Sequence, residues 1–187
     1  MLQEMMETPE KWSAFVRLSK RLSFEEEALS KLRFEIIRKW KALNVEKWRV
    51  IHLYKNLLIR FQIGYDDNGV NITLSFDSEY EYDFMVTTYW GISEKKLIQW
   101  KRENPEKTEK IVGLLPYKHS CEEIFCRDSL SFHDGKQIIS IMDQNKMSWY
   151  AYNQTEEFAD QMIEKILKIQ TPEMTAIFEE INEKCKA

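Results

Sequence analysis

Val70-Asn71-Ile72-Thr73-Leu74-Ser75-Phe76-Asp77-Ser78-Glu79-Tyr80-Glu81-Tyr82-Asp83-Phe84 alternates almost without a fault. Val70, Ile72, Leu74, Phe76, Tyr80, Tyr82 and Phe84 share one parity; Asn71, Thr73, Ser75, Asp77, Glu79, Glu81 and Asp83 share the other. A β-strand sends successive side chains to opposite faces, so the stretch reads as strand with an apolar, aromatic face and a polar face. A single strand to Trp90 would be too long, which predicts a bend or turn near Asp77-Ser78-Glu79 and a further strand over Tyr80–Tyr89.

Outward from this stretch, Asp66-Asp67-Asn68-Gly69 is a strong turn signal. Before it, Leu57, Ile59, Phe61, Ile63 and Tyr65 alternate with Arg60, Gln62 and Gly64, which predicts a hairpin. Trp48–Leu53 is a possible strand ahead of it. His133-Asp134-Gly135-Lys136 predicts a second hairpin turn, joining Leu130–Phe132 to Gln137–Met142, and Ser148–Tyr152 reads as one more strand. Leu114–Ser131 is less regular.

Helix starts are well marked. Thr8-Pro9-Glu10, Asn104-Pro105-Glu106 and Thr171-Pro172-Glu173 each place a capping side chain before Pro and an acid in the first turn. Ser23-Phe24-Glu25-Glu26 fits a capping box, and Ser93 and Thr155 are further caps. The predicted helices span Pro9–Arg21, Phe24–Leu43, Ser93–Arg102, Pro105–Gly113, Glu156–Ile169 and Pro172–Cys185. The expected fold is therefore α+β over residues 1–187 as one domain. It has a mainly antiparallel sheet of five to six strands, an N-terminal helical hairpin, a central helix pair and two C-terminal helices.

Composition bounds the function classes. The 187 residues are 43% hydrophobic, 31% charged and 13% aromatic, which describes a globular chain with an aromatic-rich core. Five glycines, none clustered, leave no phosphate-cradling loop and no serine-hydrolase elbow. No cofactor motif is present. Three cysteines form no disulfide framework, and neither a signal-peptide pattern nor an apolar run of spanning length occurs, so a reducing, cytoplasmic setting without membrane is expected.

The net charge of −4 hides a polarity. Residues 11–60 hold thirteen Lys/Arg against five Glu, a local charge of +8, whereas residues 61–187 carry −9. Such asymmetry signals either a partner or complementary packing within the chain.

Four sets of residues could carry chemistry. The row Asp77, Glu79, Glu81 and Asp83 is read first as a solvated face, then as a docking face for a basic protein, then as a metal site. Carboxylates spaced about 6.6 Å apart along one strand do not readily share a cation. Arg38-Lys39-Trp40-Lys41 with Lys47-Trp48-Arg49 interleaves cations and indoles, the pattern of a single-stranded nucleic-acid surface, although Trp40 sits on an apolar helical stripe. His119, Cys121, Cys126 and His133 offer imidazole and thiol groups, but lack the paired spacing of zinc sites or any proof of a Cys–His nucleophile. Trp90, Trp100, Trp149, Tyr150 and Tyr152 flank predicted elements and suit interface anchors. The favoured expectation is a non-catalytic binding protein of inhibitor, antidote or adaptor type, meeting a protein through Asp77, Glu79, Glu81, Asp83, Trp90, Trp149 and Tyr150. The alternatives are a metal-dependent hydrolase or nuclease using the Asp66–Asp83 carboxylates, and a nucleic-acid binder using Arg38, Lys39, Lys41, Lys47 and Arg49.

Overall fold

The computed structural model describes residues 7–18, 24–53, 58–63, 69–76, 83–88, 91–118, 124–139 and 144–187. In chain order the elements are α1 (Pro9–Leu18), α2 (Phe24–Ala42), β1 (Trp48–Leu53), β2 (Leu58–Ile63), β3 (Val70–Ser75) and β4 (Asp83–Thr88). There follow α3 (Glu94–Glu103), α4 (Pro105–Val112), β5 (Tyr117–Lys118), β6 (Ile124–Ser129), β7 (Phe132–His133) and β8 (Ile138–Ile139). Helices α5 (Gln144–Asn153), α6 (Thr155–Ile169) and α7 (Pro172–Lys184) complete the chain. The fold is α+β, as expected. Its contacts gather into two compact units, Met1–Asn44 with Leu130–Lys165, and Val45–Ser129 with Ile166–Ala187.

The first unit is helical and carries the β7–β8 hairpin. Both α1 and α2 pack against α5. Trp12 of α1 is fully buried, donates from Nε1 to Ser148 Oγ at 2.7 Å and stacks on Tyr152. Lys31 of α2 donates to the Tyr152 carbonyl and lies 4.8 Å from the centre of its ring. The expected strand at Ser148–Tyr152 is thus a helix. Burial of Met147, Ser148, Tyr150, Ala151 and Thr155 follows a helical period, and small Ser148 and Ala151 let neighbouring backbones approach. Tertiary packing outweighs the β-preference of the aromatics.

The second unit holds a six-stranded sheet in the order β1-β2-β3-β4-β6-β5. Every adjacent pair is antiparallel. The register aligns Val50, Phe61, Ile72, Val86 and Cys126 across five strands, and Ile59, Leu74 and Phe84 beside them. Apart from half-buried Val50, these side chains are almost wholly buried and form the apolar face. Helix α7 packs there. Trp48 donates from Nε1 to Thr175 Oγ1 at 3.0 Å and meets Phe178 edge-on.

Strand β6 falls in the stretch that looks irregular in sequence. The register slips between Val86 and Thr87, so Phe125 and Cys126 are buried in succession and the period of two breaks.

The polar parity of β3 also departs from a solvated face. Asn71, Thr73 and Ser75 are all buried, as are Arg60 and Gln62 opposite them on β2. Thr73 donates to Asn71 Oδ1 at 2.6 Å, and Asn71 Nδ2 donates to the Gly69 carbonyl. Hydrogen bonding is what makes such burial tolerable.

Caps follow the sequence in part. The hydroxyls of Thr8, Ser93 and Thr171 accept the amides of Lys11, Lys96 and Met174. Asn104 instead donates to the Trp100 carbonyl at the end of α3, and Thr155 donates to the Ala151 carbonyl. Among the described residues no helix is long and apolar enough to cross a membrane.

Candidate functional site

Of the acidic row, Asp83 alone lies among the described residues. Strand β3 ends at Ser75 and β4 opens at Asp83, whose backbone pairs with Ser129. Asp77, Glu79, Glu81 and Trp90 lie outside the described residues, as do His119 and Cys121 and the Asp66–Asn68 turn.

The basic set is drawn into the fold. Arg38 pairs with Glu35, Lys39 with Asp160 and Lys47 with Glu179, while Trp40 and Trp48 are core residues. Arg49 lies half-buried opposite Gln62 on the sheet, and Lys41 is exposed. Two of these pairs, Lys39–Asp160 and Lys47–Glu179, join the basic segment to the acidic one as complementary packing. Cys126 is buried, donates to the Ile111 carbonyl, and burial pushes its thiol up to about 12, which leaves it a poor nucleophile. Among the described residues no group of three His, Cys, Asp or Glu side chains could hold a metal ion.

The arrangement that stands out is the β7–β8 hairpin of the first unit. Phe132 anchors it, packing its ring on Tyr150 and Phe158 with centroids 4.9 and 5.0 Å away. Gln161 of α6 grips the next residue at both ends, accepting the His133 amide and donating to the His133 carbonyl, each at 2.8 Å. The turn is closed by Asp134. Its Oδ1 accepts the amides of Gln137 and Lys136, and its Oδ2 accepts the Tyr150 hydroxyl at 2.9 Å. Gly135 supplies the left-handed backbone, with φ of 88°.

These bonds set the charge state of the turn. The amides of Gln137 and Lys136, joined by the Tyr150 hydroxyl, hold the Asp134 carboxyl down at about 2. Burial first, and Asp134 second, push the Tyr150 phenol up to about 12. Because the folded carboxyl is held below its unfolded range, its stabilisation is present above about pH 4 and is lost as pH falls toward 2. Asp134→Asn keeps an acceptor but cannot ionise. It is expected to flatten the pH dependence of the unfolding midpoint between pH 4 and 2, measured by thermal circular dichroism.

The pinned turn presents one apolar side chain among polar ones. Ile138, the cross-strand partner of His133, is 69% exposed, and His133, Lys136 and Gln137 are exposed around it. Trp149 is half-buried with its ring edge-on to Tyr150 at 4.8 Å. Of the aromatic anchors expected from sequence, Tyr150 is thus a buried support of the hairpin rather than a contact surface, and Trp149 stands beside it. Gln161 carries no sequence signal of its role. Comparison with family models, curated proteins and solved structures finds no match for this chain.

Proposed function

We propose that this chain is a non-catalytic binding protein that engages a protein partner through the tip of the β7–β8 hairpin, His133–Ile138, with Trp149 at its flank. The observation that supports this reading is the combination of an exposed isoleucine with a backbone pinned from two helices. A lone exposed apolar residue is ordinary. One held by Asp134, Tyr150 and Gln161 in a single geometry is preorganised, which reduces the ordering cost of association. The buried polar side chains of β2 and β3 offer no comparable surface. Three of the five cations expected to meet nucleic acid, Arg38, Lys39 and Lys47, instead meet Glu35, Asp160 and Glu179, which favours a protein over a nucleic acid.

The reading is tested by a photo-crosslinking residue placed at Ile138 in the full chain and irradiated in native lysate, with exposed Glu109 on α4 as control. Discrete protein adducts are expected from position 138 and not from 109. Ile138→Asp is expected to weaken capture of the same adduct protein by roughly 30-fold, as for a hot spot of about 2 kcal/mol. Equal capture by wild type and Ile138→Asp would refute the assignment.

A further inference from the structure

His133 Nδ1 accepts the Gly135 amide at 3.1 Å, and this bond lies inside the presented tip. Neutral imidazole has one acceptor nitrogen, whereas the imidazolium has none. Protonation would turn Nδ1 into a donor facing the Gly135 N–H, replacing a hydrogen bond with two opposed N–H dipoles. The Asp134 carboxylate cannot readily substitute, because its Oδ1 already serves Lys136 and Gln137. Gly135 itself is exposed, and a Cβ built there meets nothing within 4 Å, so packing does little to hold its peptide in place.

We infer that His133 is a protonation switch for the Gly135 peptide at the hairpin tip: neutral, it holds that peptide in one geometry; protonated, it releases it, while Asp134 keeps the Lys136 and Gln137 amides. The biological consequence rests on the reading of the tip as the docking element, while the switch itself is a property of the hairpin. The remaining pins do not use the imidazole ring. Gln161 binds the His133 backbone, and Tyr150 binds Asp134, so the strand stays in place while that peptide loosens.

Among the described residues, the titratable and charged groups around His133 come from the turn, α5 and α6. Asp134 and Lys136 belong to the turn, Ile138 faces His133 from β8, and Tyr150 reaches in from α5. Glu157, Asp160, Glu164 and Lys165 lie within one turn of Gln161 on α6. Asp134, held at about 2, and Tyr150, pushed up to about 12, keep their charge states across the range in which an imidazole exchanges its proton. A step at the Gly135 amide that tracks the His133 ring resonances therefore reports the ring.

The experiment is a pH series of ¹⁵N–¹H spectra of the full chain, with the His133 ring resonances followed in the same samples. Gly135 amide protection, corrected for intrinsic exchange, is expected to fall by roughly 2- to 12-fold on protonation, the worth of one net hydrogen bond. Its midpoint should coincide with that of the His133 ring. His133→Gln, at an exposed position, carries no titrating charge and should abolish the step. A Gly135 amide that ignores the His133 titration, or a step that persists in His133→Gln, overturns the switch. The wild-type midpoints decide the matter even without the variant. No partner enters this readout, so its failure leaves the crosslinking test of Ile138 intact, and the reverse also holds.

Discussion

Trp12→Ala is expected to destabilise the chain by about 3–5 kcal/mol, the range for truncating a fully buried tryptophan. Trp12 has no exposed surface, and its ring is the seam between α1 and α5: Phe15 lies 6.0 Å away and Tyr152 5.6 Å, nearly parallel. The loss has two separable parts. Removing the ring empties volume in a close-packed region, and removing Nε1–H deprives Ser148 Oγ of a donor at 2.7 Å. Trp12→Phe keeps most of the packing and loses the bond. Ser148→Ala leaves a buried indole N–H without that acceptor, a change of about 1–3 kcal/mol. The two variants combined should cost less than their sum, with a coupling of about 0.5–3 kcal/mol. Urea unfolding followed by circular dichroism measures this as a shifted midpoint at unchanged slope. A loss under about 1 kcal/mol for Trp12→Ala would mean that α1 is not an integral part of the first unit.

The same α1–α5 seam shows where sequence and structure part company. Helix α2 and helices α3, α4, α6 and α7 are legible because capping residues and apolar spacing point the same way, and α1 begins at Pro9 as expected. Strands β1 to β4 are legible because alternation survives in Trp48–Leu53, Leu58–Ile63, Val70–Ser75 and Asp83–Thr88. Helix α5 is not, because Trp149-Tyr150-Ala151-Tyr152 has strand-like composition and only its neighbours α1 and α2 decide its period. Strand β6 is hidden by its bulge at Val86/Thr87. The polar parity of β3 misleads for another reason. Alternation reveals which side chains share a face, but not whether hydrogen bonds such as Thr73 to Asn71 allow the polar face to be buried as well.

The candidate site divides along the same line. The Asp134-Gly135 turn and the aromatic pair Trp149-Tyr150 are visible in the sequence as separate local signals. That Tyr150 and Gln161 converge on one hairpin is not visible, since it depends on how α5 and α6 pack.

Gly69→Ala is expected to cost about 2–6 kcal/mol, combining about 1–3 for a backbone conformation nearly reserved for glycine with about 1–3 for overpacking. Gly69 enters β3 at φ of 125°. A Cβ built there would lie 2.5 Å from Oδ1 and 2.7 Å from Cγ of Asn182 on α7. Asn182 cannot simply withdraw, because Oδ1 accepts the Val70 amide at 2.8 Å and so completes the first hydrogen bond of the strand. The glycine is thus required twice, by its own backbone conformation and by the helix side chain that caps the strand's start. Asn182→Ala alone should cost about 1–3 kcal/mol for the lost acceptor. Gly69→Ala with Asn182→Ala should cost less than the two single losses added, because the collision disappears while the positive φ remains. Strict additivity in chemical denaturation would show that Asn182 yields without penalty, and that only the backbone conformation demands glycine at position 69.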